Sequence, residues 1–154
     1  MQVLTSMTDT TIPKNIVLYA DDDPDDVELV KDAFTQYTRN VEVLGFENGS
    51  EALAYLMQLS SEDIIPCLII LDINMPILNG KETLARIRNM KRFDSVPVVL
   101  FTTSSQPSDK EFAVKHDAGF ITKPIEIKQM EFIADQFVEH CSQETRKRIR
   151  RTIQ

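Results

Sequence analysis

The stretch CLIILDINMPILNG, Cys67 to Gly80, decides how the rest of the chain is read. It opens with an unbroken apolar run of strand length. A strand apolar at every position, rather than at alternate ones, is covered on both faces, as in a parallel sheet flanked by helices. The run stops at Asp72. A carboxylate there is costly to hold near an interior unless a cation, hydrogen bonds or covalent chemistry use it. The loop that follows, through Asn74, Pro76 and Asn79-Gly80, can wrap its backbone around a ligand, although Asp72 taken alone reads better as an ordinary strand-end turn residue.

Working outward, four more strand-like runs appear, at Ile16 to Ala20, Val41 to Phe46, Val96 to Phe101 and Gly119 to Thr122. Helix-period segments separate them. Val27, Val30, Phe34 and Tyr37 recur at three- and four-residue spacing after Asp23-Pro24, an N-cap followed by proline at the first helical position. Leu53, Leu56 and Leu59 follow Asn48-Gly49, and Leu84 and Ile87 follow Asn79-Gly80. A fourth helix is predicted over Ser108 to Asp117, and a fifth after Pro124 with Met130, Ile133, Phe137 and Cys141 on one stripe. Five alternations predict an α/β fold, a five-stranded parallel sheet, doubly wound, in a single domain. The expected boundaries are a loose lead-in over 1–14, the domain over 15–141, and a basic tail over 142–154 that extends the last helix.

The chain has 154 residues, 42% apolar and 27% charged, which is ordinary globular composition and enough to bury a core without disulfides. No apolar run approaches the length of a membrane span, and Met1 to Lys14 lacks the basic start and apolar stretch of a signal peptide, so a cytoplasmic location is expected. Cys67 and Cys141 have the spacing of neither a disulfide framework nor a zinc site and are expected to be buried thiols. The net charge of −7 is split between a tail at +4 and a body at −11. An acidic body suits a divalent cation or a basic partner and argues against nucleic acid. His116 and His140 lack partner spacing and are assigned no catalytic or metal role.

In an open parallel sheet the ligand crevice lies outside the carboxyl ends of the strands. The residues there are Asp21-Asp22, Asp72, Thr102 and Lys123. Asp23, Asp25 and Asp26 are accounted for as acids at a helix N-terminus. Asp21 and Asp22 are not, and they read either as ligands of a hard divalent cation such as Mg²⁺ or as a repelling acid pair. Thr102 alone reads as local hydrogen bonding and Lys123 as a solvated charge. Taken together, these residues are what a phosphoryl group needs: an oxygen nucleophile, a cation site, an amine and a hydroxyl.

The ordered set DD after strand one, LDINMP and NG after strand three, FTT after strand four and GFITKP after strand five resembles the receiver domain of two-component response regulators, over about Asn15 to Cys141. The resemblance implies a flavodoxin-like fold and a phosphoryl group accepted on Asp72 from the phosphohistidine of a sensor histidine kinase or a histidine phosphotransfer protein. It implies Mg²⁺ or Mn²⁺ held by Asp22, Asp72 and the main-chain carbonyl of Asn74, with Asp21 acting through water. Lys123, Thr102 and Thr103 fall at phosphoryl-binding positions, and a cis peptide is implied at Lys123-Pro124.

The resemblance also implies a switch in which Thr102 moves toward the phosphoryl group and the aromatic on strand five, here Phe120, turns inward. That motion reshapes the face of helix four, strand five and helix five for a downstream protein target or a homodimer. Phe120 lacks the hydroxyl of the tyrosine common there, so an inward bias is expected. Thr103 stands where many receivers have alanine or glycine and narrows access to Asp72. Asn74 and Ser104 are uncharged at the rate-tuning positions, which implies slow to moderate loss of the phosphoryl group. Phe132 falls about 160–200° from the core stripe of the last helix and is a candidate contact. Expected is a stand-alone phosphoacceptor with no turnover of external substrate. The alternatives are an adaptor that takes no phosphate and an aspartyl-phosphate hydrolase, the latter disfavoured because Asn74 occupies the place of a proton-donating acid.

Overall fold

The computed structural model describes residues 14–37 and 40–149. Strands β1 (Asn15–Ala20), β2 (Val41–Phe46), β3 (Leu68–Leu71), β4 (Val98–Thr102) and β5 (Gly119–Thr122) form one parallel sheet in the order β2-β1-β3-β4-β5. Between them run α1 (Pro24–Phe34), α2 (Gly49–Gln58), α3 (Gly80–Arg88) and α4 (Pro107–Lys115), and α5 (Ile133–Val138) follows β5. This is the doubly wound α/β fold expected. β4 starts after Pro97, which has no N–H to give the ladder but whose carbonyl accepts from Ile69.

Alternation along the strands sorts the core. Val17, Tyr19, Ile70, Val99, Phe101 and Ile121 face α1 and α5, where Tyr19, Phe101, Phe137 and Phe34 make a chain of aromatic contacts. Leu18, Ala20, Ile69, Leu71 and Leu100 face α2, α3 and α4. β1, β3 and β4 are buried at every residue, which is why their sequences do not alternate.

Three expectations change. Lys123-Pro124 is trans, as are all peptide bonds among the described residues. The last helix is not one α-helix: Ile127–Phe132 is a 3₁₀ turn, and α-geometry covers only Ile133–Val138. Nor does the tail extend it. The chain breaks at Ser142, whose Oγ accepts from Thr145 N at 3.1 Å and starts a separate helix, α6 (Gln143–Arg148). The break turns the tail back onto the domain, with Ile149 only 1% exposed in the α1/α5 core and Arg148 Nε donating to Asn15 Oδ1 at 3.1 Å. Burial of Ile149 and the serine cap win over straight continuation. Of the lead-in, residues 1–13 lie outside the described residues, and Lys14 pairs with Glu42 at 3.1 Å. Residues 150–154 of the tail also lie outside them.

Candidate functional site

Each strand that carries a site residue continues the ladder by one rung. Asp21 N donates to Phe46 O, Asp72 N to Ala20 O and Lys123 N to Thr102 O, at 2.9, 3.0 and 2.7 Å. Asp21, Asp72 and Lys123 follow Tyr19, Ile70 and Ile121 by two residues, and those three share the α1/α5 face of the sheet. A period of two therefore aims all three site side chains toward the same side.

They meet there. Lys123 Nζ donates to Asp21 Oδ2 at 2.7 Å, Asp26 Oδ2 at 2.9 Å and Asp72 Oδ2 at 3.3 Å, and lies 5.7 Å from the centre of the Phe101 ring. Asp21 also accepts from Tyr19 Oη and, at 2.9 Å, from Asp23 N. Burial alone would favour a neutral amine at Lys123, but the hydrogen bonds and charges of Asp21 and Asp26, with the charge of Asp72, outweigh it and raise its pKa. Burial pushes the Asp72 carboxyl above the usual carboxylate range. The Lys123 charge opposes that, repulsion from Asp21 adds to it, and a hydrogen bond with Thr102 offsets part of it. Burial and Asp21 likewise raise the Tyr19 phenol, which stays a donor.

Asp21, Asp22 and Asp72 each offer a carboxylate oxygen, all within 4.8 Å of one another. Three carboxylates, of Asp21, Asp26 and Asp72, share one ammonium, and Asp22 adds a fourth acid beside Asp21 and Asp72. That acidic excess and all-oxygen donor set fit a hard divalent cation. Asp22, unlike Asp21 and Asp72, is exposed, so it can turn to a ligand without leaving an interior partner.

The remaining predicted residues are placed as follows. Thr102 is fully buried, with its Oγ1 accepting from Ser104 N at 3.3 Å. Thr103 and Asn74 are exposed, and Asn74 borders an open cleft of about 540 Å³ that also takes in Lys81, Ser104 and Asp109. Phe120 is half-buried against the α2/α3/α4 core, with Lys110 Nζ 5.9 Å from its ring centre. Phe132 is 54% exposed at the start of α5.

Sequence reasoning missed two parts. Asp26 was assigned to the helix terminus, but it also holds Lys123. A second ion pair, Lys81 with Asp109, crosses the cleft mouth from α3 to α4, and Ser104 Oγ donates to the same carboxylate, which Lys81 and Ser104 together hold below the usual range. Lysine one residue into a helix and aspartate in the first turn of another gave no local signal of meeting.

The loop after Asp72 is closed tightly. Asn79 and Glu82 cap α3 reciprocally, and Gly80 N donates to Ile73 O at 2.9 Å. A Cβ on Gly80 would lie 2.1 Å from the Asp72 carbonyl oxygen, so only glycine fits. Ile77, at φ 69°, holds a left-handed conformation unusual for a β-branched residue and is 80% exposed.

A doubly wound sheet with acids, a hydroxyl and a lysine converging at its carboxyl edge defines the receiver class. A family model for the response regulator receiver domain matches residues 17–134, and the chain belongs to that family. Among curated relatives it is 30% identical over 127 residues to response regulator Rcp1 of Synechocystis sp., covering 80% of this chain and 86% of the relative. It is 29% identical over 111 residues to protein PilH of Pseudomonas aeruginosa, covering 71% and 86%. Among solved structures it is similar to the phosphorylated cyanobacterial phytochrome response regulator RcpA, at 27% identity and TM-score 0.74 over 84% of this chain and 97% of that one. The Mn²⁺-bound form of response regulator Rcp1 is similar at 27% identity and TM-score 0.73, over 83% and 97%. No helix among the described residues is long and apolar enough to cross a membrane.

Proposed function

We propose that this receiver takes a phosphoryl group on Asp72 from the phosphohistidine of a sensor histidine kinase or a histidine phosphotransfer protein. The observation that carries the proposal is the Lys123 ammonium held jointly by Asp21, Asp26 and Asp72. A carboxylate oxygen of Asp72 attacks phosphorus, the phosphorus–nitrogen bond breaks, and the imidazole leaves and recovers a proton. Lys123, already aimed at Asp72, pairs with a phosphoryl oxygen, and Thr102 donates to another. Asp22, Asp72 and the main-chain carbonyl of Asn74, supported by Asp21, would hold Mg²⁺ or Mn²⁺, which when bound would supply neutralising charge to the phosphoryl oxygens. Thr103, exposed beside Thr102, limits approach to the acceptor.

Recruitment of Thr102 draws on the β4–α4 loop and makes room for Phe120 to turn further inward, changing the α4/β5/α5 face that a downstream protein, or a second copy of this chain, reads. Phe132 belongs to that contact surface. Asn74 and Ser104 provide no general base for water, so the phosphoryl group persists and external substrates are not turned over. The test is incubation with acetyl phosphate and Mg²⁺, followed by intact mass. An adduct of one phosphoryl group that disappears in Asp72→Asn supports the proposal, whereas no adduct, or steady release of phosphate, overturns it in favour of a phosphate-independent adaptor or a hydrolase.

A further inference from the structure

Tyr19 lies on β1 two residues before Asp21 and on the same face of the sheet, so its hydroxyl reaches along the strand to the acid that follows it. The side chain is fully buried, and its ring packs against Phe101 with centres 6.2 Å apart. Held in this way, the phenol has a fixed direction, and it donates to Asp21 Oδ2. Lys123 Nζ donates to the same oxygen at 2.7 Å, while Asp23 N occupies Oδ1 at 2.9 Å. A single buried carboxylate oxygen therefore has two donors, one charged and one neutral.

An ammonium has three N–H donors, and Lys123 directs them at Asp21, Asp26 and Asp72. It can grip a phosphoryl oxygen only by giving up or lengthening one of these bonds. The phosphoryl donor arrives from solvent, so the ammonium is drawn outward, away from the most deeply buried acid. Asp26, whose side chain is 23% exposed, can take water in exchange. Asp21, at 0%, cannot, and a buried carboxylate that loses its counter-charge without replacement is strongly disfavoured. On the phosphoacceptor reading above, we infer that Tyr19 is a positioning residue for phosphoryl transfer, its hydroxyl keeping Asp21 Oδ2 satisfied while Lys123 moves to the phosphoryl group. It acts through Asp21 and Lys123 and touches neither the acceptor nor the incoming group. The Tyr19 bond counts for more after the lysine has moved than before, because Asp21 is then left with neutral donors. A contact that strengthens along the reaction raises the rate of transfer and leaves resting affinities alone.

The test compares the wild-type chain with Tyr19→Phe, which removes the hydroxyl and keeps the ring beside Phe101. Both are incubated with acetyl phosphate over a range of Mg²⁺ concentrations, and the Asp72 adduct is followed by intact mass. The variant should form it about tenfold more slowly at saturating Mg²⁺, with the half-saturating Mg²⁺ concentration changed by no more than about twofold. A residue that served only the fold would lower the thermal midpoint and leave this rate unchanged in fully folded protein. A second measurement keeps Tyr19 in place and stands if Tyr19→Phe fails to fold. With ¹³C at the tyrosine Cζ positions, beryllofluoride, a phosphoryl mimic, should move the Tyr19 resonance downfield as its hydroxyl becomes the main donor to Asp21. The chain has three tyrosines, and Tyr37→Phe and Tyr55→Phe assign the other two resonances. An unchanged adduct rate in Tyr19→Phe, a loss of rate matched by weaker Mg²⁺ binding, or a Tyr19 resonance that ignores beryllofluoride overturns the inference alone. A wild-type chain that forms no Asp72 adduct overturns the phosphoacceptor reading and this inference with it.

Discussion

Lys123 Nζ sits 2.7 Å from Asp21 Oδ2, a pairing of residues 102 apart in sequence in which the carboxylate side chain is 0% exposed and the ammonium side chain 10%. Because the lysine is nearer Asp21 than Asp72, at 3.3 Å, it holds the acid cluster together rather than serving Asp72 alone.

Replacing Lys123 by methionine should therefore destabilise the protein by about 3 kcal/mol at neutral pH, since it leaves buried carboxylates facing one another without a counter-charge. Urea unfolding measures this. Adding Asp72→Asn to Lys123→Met should recover part of the loss, because one of the repelling charges goes with it.

Asp72 carries the opposite sign. Its folded pKa lies above its unfolded value, so between the two the folded state binds more protons, and stability falls as pH rises through that window. Asp72→Asn should raise the thermal midpoint at pH 7 by on the order of a few degrees. The gain should shrink as pH is lowered through the folded pKa toward the unfolded one. An equal gain at pH 7 and at pH 3 would contradict the assignment of burial as the cause.

Asp22 is exposed and pairs with no cation among the described residues, so Asp22→Asn should change stability without added metal by no more than about 0.5 kcal/mol. The same substitution should remove the rise in thermal midpoint that Mg²⁺ or Mn²⁺ gives the wild-type protein, a rise that follows from a ligand binding only the folded state. Chelation with EDTA should return the wild-type protein to its metal-free midpoint and leave the variant unchanged.

Ile149 tests whether α6 belongs to the domain. At 1% exposure within the α1/α5 core, its replacement by alanine should cost about 2–4 kcal/mol in chemical denaturation. A cost near zero would show that the tail can leave without disturbing the core.

The sheet was legible because β1, β3 and β4 are covered on both faces and their residues say so without reference to anything distant. The carboxyl-edge residues were legible as an ordered set, since parallel strands bring their ends together whatever lies between. Asp26 was not, because a local rule already explained an acid in the first turn, and its partner comes 97 residues later. The Lys81 and Asp109 pair was hidden for the same reason. The break before α6 did leave a trace in Ser142, a residue that caps helices, but the basic run after it drew the reading toward a solvated extension. Whether that segment turns back depends on a place for Ile149 in the core, which only the packed structure supplies.

The contact between Gly80 and the Asp72 carbonyl has a mechanical consequence. The nine residues from Asp72 to Gly80 meet at their base and form a stiff eyelet rather than a slack loop, and α3 is threaded directly onto it. A displacement of the Asp72 backbone has little slack to absorb it and is passed to the first turn of α3.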